Sequence, residues 1–230
     1  MRGKRFTAIL GACVLSFLVS EVPAQNVLLS EWHVDSGKRA VKERHFDEAE
    51  QHYFAALKEA AGAPGTRVTD SIASLADLYL TEGKPAAAER LFRRALALQE
   101  RMLGREHPAV AETLKSWAAL HADHGQDETA ERLYTQALAI QEKTLGPEHP
   151  DVATSLNHLA ILYNHQGKHA EAESLFKRAL TIREKSLGPE HPKVAATLEN
   201  YAALLWAMER PEEAEQFAAR AKAIRSKQGS

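Results

Sequence analysis

Glutamate and histidine stand side by side at Glu106–His107, Glu148–His149 and Glu190–His191. A carboxylate beside an imidazole can relay a proton or supply two ligands to a metal ion. The three pairs sit in LGREHP (Leu103–Pro108), LGPEHP (Leu145–Pro150) and LGPEHP (Leu187–Pro192), 42 residues apart each time. That regularity argues against one shared site. Units stacked at a helix-packing distance of about 8–10 Å hold their equivalent histidines too far apart for zinc, whose nitrogen ligands lie at about 2.0–2.1 Å.

The six letters instead spell the end of one helix and the start of the next. Leu145 closes a helix, Gly146 supplies an αL cap and Pro147 stops the chain from continuing it. Pro150 then opens the following helix at its first turn, with Asp151 at the positive dipole end and His149 near the N-cap. His121 and His124 are three apart, and His158 and His165 seven apart, which puts each pair on one helix face. No carboxylate completes a ligand pattern there, so solvated polar faces are expected and no metal. No GxGxxG, P-loop, GxSxG, HExxH or EF-hand pattern occurs, and no alternation of strands and helices would position one. Neither an enzyme nor a cofactor is expected.

The elements that carry the motif repeat with it. GKPAAAERLFRRALALQERMLGREHP from Gly83, GQDETAERLYTQALAIQEKTLGPEHP from Gly125 and GKHAEAESLFKRALTIREKSLGPEHP from Gly167 superpose at 42 residues, and a fixed period of this size marks a repeat architecture. A further segment, from Glu209, lacks the glycine. Ala172, Leu175, Phe176, Ala179, Leu180 and Ile182 make one stripe of an amphipathic helix, and Val152, Leu156, Leu159, Ala160 and Tyr163 make another before it. Each unit therefore reads as two helices, and the small residues allow close approach of their backbones.

L-x2-L-A-x2-Y at Leu156–Tyr163, then Gly167, then A-x3-F-x2-A at Ala172–Ala179, resembles the tetratricopeptide repeat signature. The 42-residue spacing and the LGPEHPDVA linker resemble the repeats of kinesin light chains and their bacterial relatives. The same pattern fits Ile72–Ala95 and Leu114–Ala137, although His121 replaces a tyrosine and Trp117 a leucine. A divergent first unit carries Arg44 in place of glycine and a shortened exit, GAPGTRV; the last has Leu205 and Ala218 in place of aromatic residues. Five repeats are expected, at about 30–63, 69–105, 111–147, 153–189 and 195–228. The resemblance implies an all-α, right-handed superhelical solenoid whose first helices line a concave face.

By that arrangement the groove takes Asp70, Ala73, Asp77 and Leu80 from the second repeat and Glu112, Lys115, Ala119 and Ala122 from the third. Thr154, Asn157, Ile161, Asn164 and His165 follow from the fourth, and Glu199, Asn200, Ala203 and Trp206 from the fifth. Kinesin light chain-like repeats often carry an Asn-Asn pair in this helix, suited to extended peptide backbone because an amide both donates and accepts. Only Asn157 and Asn200 match it. The basic clamp of some chaperone-binding relatives is not matched, since Lys115 stands nearly alone among Asp70, Asp77, Glu112 and Glu199. An acidic groove favours basic or neutral partners. The expected function is a protein-interaction scaffold that binds a peptide or protein segment. The alternative is an accessory or self-associating subunit of an envelope complex that stacks through its terminal repeats.

The remaining features concern destination. The 230 residues carry a formal net charge of −2, so no global basic field exists to hold nucleic acid. MRGKR, the apolar run Phe6–Val19 and SEVPA form the layout of a secretory leader, with cleavage expected after Ala24. Fourteen residues of helix rise only about 21 Å, short of a hydrocarbon core of about 30 Å, so stable membrane insertion is not expected after cleavage. Cys13, in LGAC, resembles a lipoprotein box, the less favoured alternative because the apolar run continues beyond it. Residues 1–24 are thus assigned to a leader and 25–230 to the repeat domain, in a periplasmic or secreted protein. The mature chain would have no cysteine and need no disulfide.

Overall fold

The computed structural model describes residues 28–59 and 66–227. The leader with Cys13 and Ala24, most of the GAPGTRV exit and the last three residues lie outside them. The described residues form ten α-helices and no strand: α1 (28–42), α2 (Phe46–Glu59), α3 (Thr66–Thr81), α4 (Pro85–Leu103), α5 (Pro108–Asp123), α6 (Asp127–Leu145), α7 (Pro150–His165), α8 (His169–Leu187), α9 (Pro192–Ala207) and α10 (Pro211–Ser226). From α5 on, a 16-residue helix, a three-residue turn, a 19-residue helix and a four-residue exit make up the 42-residue period. Such short turns make each pair an antiparallel hairpin, the building block of a helical solenoid.

Local chemistry sets these boundaries. The turn within each hairpin needs a left-handed residue, supplied by Gly125 (φ 70°) and Gly167 (φ 74°). Where glycine is missing, Arg44 (φ 61°) and Glu209 (φ 57°) adopt the same conformation. The exit glycines differ from the expected αL cap: Gly146 and Gly188 have φ 87° and ψ 153°. The proline that follows each one pushes its predecessor towards extended ψ, and with positive φ that region is open essentially to glycine alone. His107, His149 and His191 are the N-caps of α5, α7 and α9, each Nδ1 accepting the backbone N–H two residues on at 3.1–3.2 Å.

The chain comprises two compact units, Met1–Met102 and Leu103–Ser230. In the first, α1 packs on α2 through buried Val34, Ala40, Ala49 and Tyr53, and Tyr79 of α3 donates its hydroxyl to Glu50 of α2 at 2.8 Å. In the second, Val152, Ala153 and Leu156 of α7 pack on Ala179 and Ile182 of α8, and the same five positions recur as Val194, Ala195, Leu198, Ala221 and Ile224. Between those layers lies a cluster of Ala160, Ala172, Phe176, Tyr201, Leu204, Leu205 and Ala214, drawn from four helices. In this unit the hairpins thus bury their stripes partly against themselves and partly against one another.

The glutamates of the three motifs also have partners. Glu106 pairs with Lys143, Glu148 with Lys185 (3.2 Å) and Glu190 with Lys227 (2.6 Å), each exit loop reaching the last turn of the next hairpin. These pairs are exposed and contribute little individually.

Candidate functional site

In the second unit the first helices of the hairpins stand side by side, with α7 against both α5 and α9. Lys115 of α5 is mostly buried and holds Glu112, one turn away, at 2.8 Å. Glu112 also accepts the Gln141 side-chain amide at 3.4 Å. On α9, Glu199 receives a two-pronged bond from Arg225 of α10, at 2.5 and 2.6 Å. The two glutamates expected to make this part of the groove acidic are therefore neutralised by cations of their own chain.

Asn157 and Asn200 come together: the Asn200 amide donates to Asn157 Oδ1 at 3.4 Å, from α9 to α7. Their sequence separation of 43 misses the period by one residue, which is why the pattern alone places them at neighbouring but unlike positions. Beyond them along the helices, Ile161 packs on the buried cluster, Asn164 is half-buried, and His165 and Ala203 are exposed. Trp206 is 51% exposed at the end of α9. Asp70 and Asp77 are exposed on α3, in the first unit.

Sequence reasoning missed one buried group and misplaced another. Arg183 of α8 is 5% exposed and reaches between the first turns of α7 and α9. It donates to the Lys193 carbonyl at 2.9 Å, to Thr197 Oγ1 at 2.5 Å and to Thr154 Oγ1 at 3.3 Å, while its Nε has no partner. Burial pushes its pKa down, but a guanidinium stays charged, so this cation sits among neutral oxygens. The signal was present in the frame: Gln99, Gln141, Arg183 and Arg225 share one place in the period. Gln141 binds Ser155 at 2.5 Å, the counterpart of Thr197.

His158, expected on a solvated polar face, is the misplaced group and is half-buried. It faces Tyr134, with ring centroids 5.7 Å apart, and its pKa falls to about 4, through burial first and then the charges of Lys115 and Arg183. A histidine so disposed is neutral at physiological pH and a poor base. His121 packs at a tilt against Trp117 and bonds to Gln126. No group of three or more histidine, cysteine, aspartate or glutamate side chains is placed to hold a metal ion among the described residues.

A model of the tetratricopeptide repeat matches this chain in three overlapping stretches, residues 68–143, 116–185 and 151–227. The chain belongs to the tetratricopeptide repeat family. Among solved structures, this repeat protein is similar to BtubC (BKLC) from P. vanneervenii, with 26% identity over 94% of this chain and 87% of that one and a TM-score of 0.69. It is also similar to the nearly identical TPR-like repeats of a kinesin light chain-type protein from Podosopora anserina, with 27% identity over 86% and 95% and a TM-score of 0.62. PilF of Pseudomonas aeruginosa shares the fold at 20% identity, covering 87% of this chain and 78% of that one, with a TM-score of 0.54. No curated protein matches the sequence. The kinesin light chain-like character read from the linker is thus found again in solved relatives. The fold is one that serves protein–protein interaction. No helix among the described residues is long and apolar enough to cross a membrane.

Proposed function

We propose that this tetratricopeptide repeat protein is an exported, non-catalytic scaffold that holds an extended protein segment along α5, α7 and α9. The Asn157–Asn200 bond carries this reading, because buried Asn157 holds the half-buried Asn200 amide in place and leaves its Oδ1 for a peptide N–H. With Glu112 and Glu199 already paired, recognition there rests on amides and shape rather than on net charge. Trp206 and Ile161 supply apolar contact next to them. Export rests on the basic leader followed by an apolar run.

Crosslinking in the native envelope, followed by mass spectrometry, identifies the bound segment. Its affinity should change little between low and about 0.3 M salt, where exposed charges are screened. Asn157→Ala with Asn200→Ala should abolish capture while the helix content stays intact. Capture unaffected by the double substitution overturns the groove reading, and a chain that keeps Met1 and fractionates with the cytosol overturns export.

A second reading is favoured by the exposed apolar residues of the terminal repeats, Leu28, Leu29 and Trp32 on α1 and Trp206 on α9. Association through the repeat ends would cover them. Light scattering across a concentration series separates the two, since a monomer throughout excludes self-stacking.

A further inference from the structure

Outside the groove, the first hairpin brings two histidines into direct contact. His33 of α1 and His52 of α2 approach Nδ1 to Nδ1 at 3.0 Å. With 5.3 Å between ring centroids, both nitrogens lie nearly on the line joining the rings. A metal ion needs ligand lone pairs that converge on a third point. These face each other, which suits one N–H donating to one bare nitrogen. We propose that the His33–His52 pair is a proton-operated latch between α1 and α2, closed when the rings share one proton between the facing nitrogens and released when each ring carries its own.

The surroundings make the pair consequential. Trp32 packs edge-on against both rings, at 4.9 Å from His33 and 5.6 Å from His52, and is itself 57% exposed. An exposed indole thus lies against both rings of the latch. The rest of the α1–α2 seam is close-packed and largely apolar: Val34, Ala40, Ala49 and Tyr53 are buried, Ser30 Oγ donates to the Ala56 carbonyl at 3.2 Å, and Gly37 lies against the Tyr53 ring so closely that a Cβ would sit 2.4 Å from it. Opening the latch loosens the helix that presents Trp32, Leu28 and Leu29.

The charges around the pair are few. His33 feels His52 and Glu59 of α2, and Glu48 approaches the far nitrogen of His52 at 3.9 Å while also facing His45. On α1, Glu31 and Asp35 are exposed neighbours in sequence. The other helices of the unit meet α2 elsewhere, Tyr79 of α3 and Arg90 of α4 at Glu50 and Arg94 of α4 at Phe54. Burial, and then His52, hold the His33 pKa below its ordinary value, with Glu59 opposing them. A histidine depressed on folding binds fewer protons folded than unfolded. Its contribution is complete above about pH 6.5 and is lost as the pH falls below that value, with an opening constant that rises by up to about tenfold per pH unit.

Hydrogen exchange on the full chain reads this directly. Peptides from α1, corrected for intrinsic rates, should open more as the pH falls from about 7 towards 5, by up to about tenfold per unit for one proton, while peptides from α7 and α8 stay flat. His52→Gln and His33→Gln should each remove that slope. A flat α1 profile in the unaltered protein, or a slope that survives both substitutions, overturns the latch. Nitrogen-15 NMR of labelled histidine needs no variant: one proton shared by the two Nδ1 atoms at neutral pH supports it, and two bare Nδ1 atoms overturn it.

Discussion

The hydroxyl of Tyr201, on α9, donates to a carboxylate oxygen of Glu173, on α8, at 3.0 Å. Arg210 reaches the other oxygen at 3.0 Å from the start of α10, and Lys177 lies 2.8 Å away. One carboxylate therefore ties three helices together. Glu131 plays the same part 42 residues earlier, accepting Tyr163 at 3.2 Å and Lys168 at 2.8 Å.

Glu173→Gln should destabilise the second unit by about 1–3 kcal/mol at neutral pH, the range for losing charge-assisted bonds at a largely buried group. Lys177 above all, then Tyr201 and Arg210, hold the Glu173 carboxyl down to about 2 against its desolvation. Its folded pKa lies below its unfolded one, so the stabilisation is complete above about pH 4.5 and fades as the pH drops towards 2. Urea titrations at neutral pH and near pH 3 should show the two proteins converging in stability as this contribution fades.

The histidine caps permit a prediction without any titration. His149→Ala removes the acceptor for the Asp151 N–H and should cost about 1 kcal/mol, while His149→Asn or His149→Asp should keep or improve stability. Denaturation midpoints of the three variants decide it. Loss of binding with an unchanged midpoint would instead give His149 a functional role.

Much of this is legible in the sequence. Pro150, Gly167 and the stripe from Ala172 to Ile182 each obey a local rule, so helix ends and buried faces could be read from short stretches. What escaped depends on partners in another hairpin. The Glu148–Lys185 pair recurs at a constant 37 residues, yet nothing local marks it. Arg183 was invisible because an arginine late in an amphipathic helix ordinarily reaches water; only its alignment with Gln141 hints at burial. The supposed acidity of Glu112 and Glu199 failed because a count of charges ignores their pairing: Glu112 is held by Lys115 on its own helix and Glu199 by Arg225 on the next.

Arg183 gives a prediction of the opposite sign to most core substitutions. Gln141 shows that an amide fits the same place, bonding to Ser155 and to Glu112, where Arg183 has Thr197 and Thr154. Arg183→Gln should leave stability unchanged or raise it, since it removes a desolvated charge with no carboxylate beside it. Arg183→Ala should cost about 2–4 kcal/mol, through lost packing and an unsatisfied Lys193 carbonyl. Thermal midpoints test the order, and a destabilising glutamine would show that the charge itself is needed.

Ala172 tests how tightly the hairpins close. It is fully buried among Ala160, Phe176, Tyr201 and Leu204, where α7, α8 and α9 meet. Interiors this dense have no space for extra methyl groups, so Ala172→Leu should cost about 1–3 kcal/mol by forcing side chains off their rotamers. In a stack whose stability is a sum of hairpins and nearest-neighbour interfaces, that loss should fall on the hairpins that touch the site. Hydrogen exchange should therefore rise in α7 to α10 and remain unchanged in α2 and α4. An effect spread evenly over all helices would mean that the chain unfolds as one cooperative block.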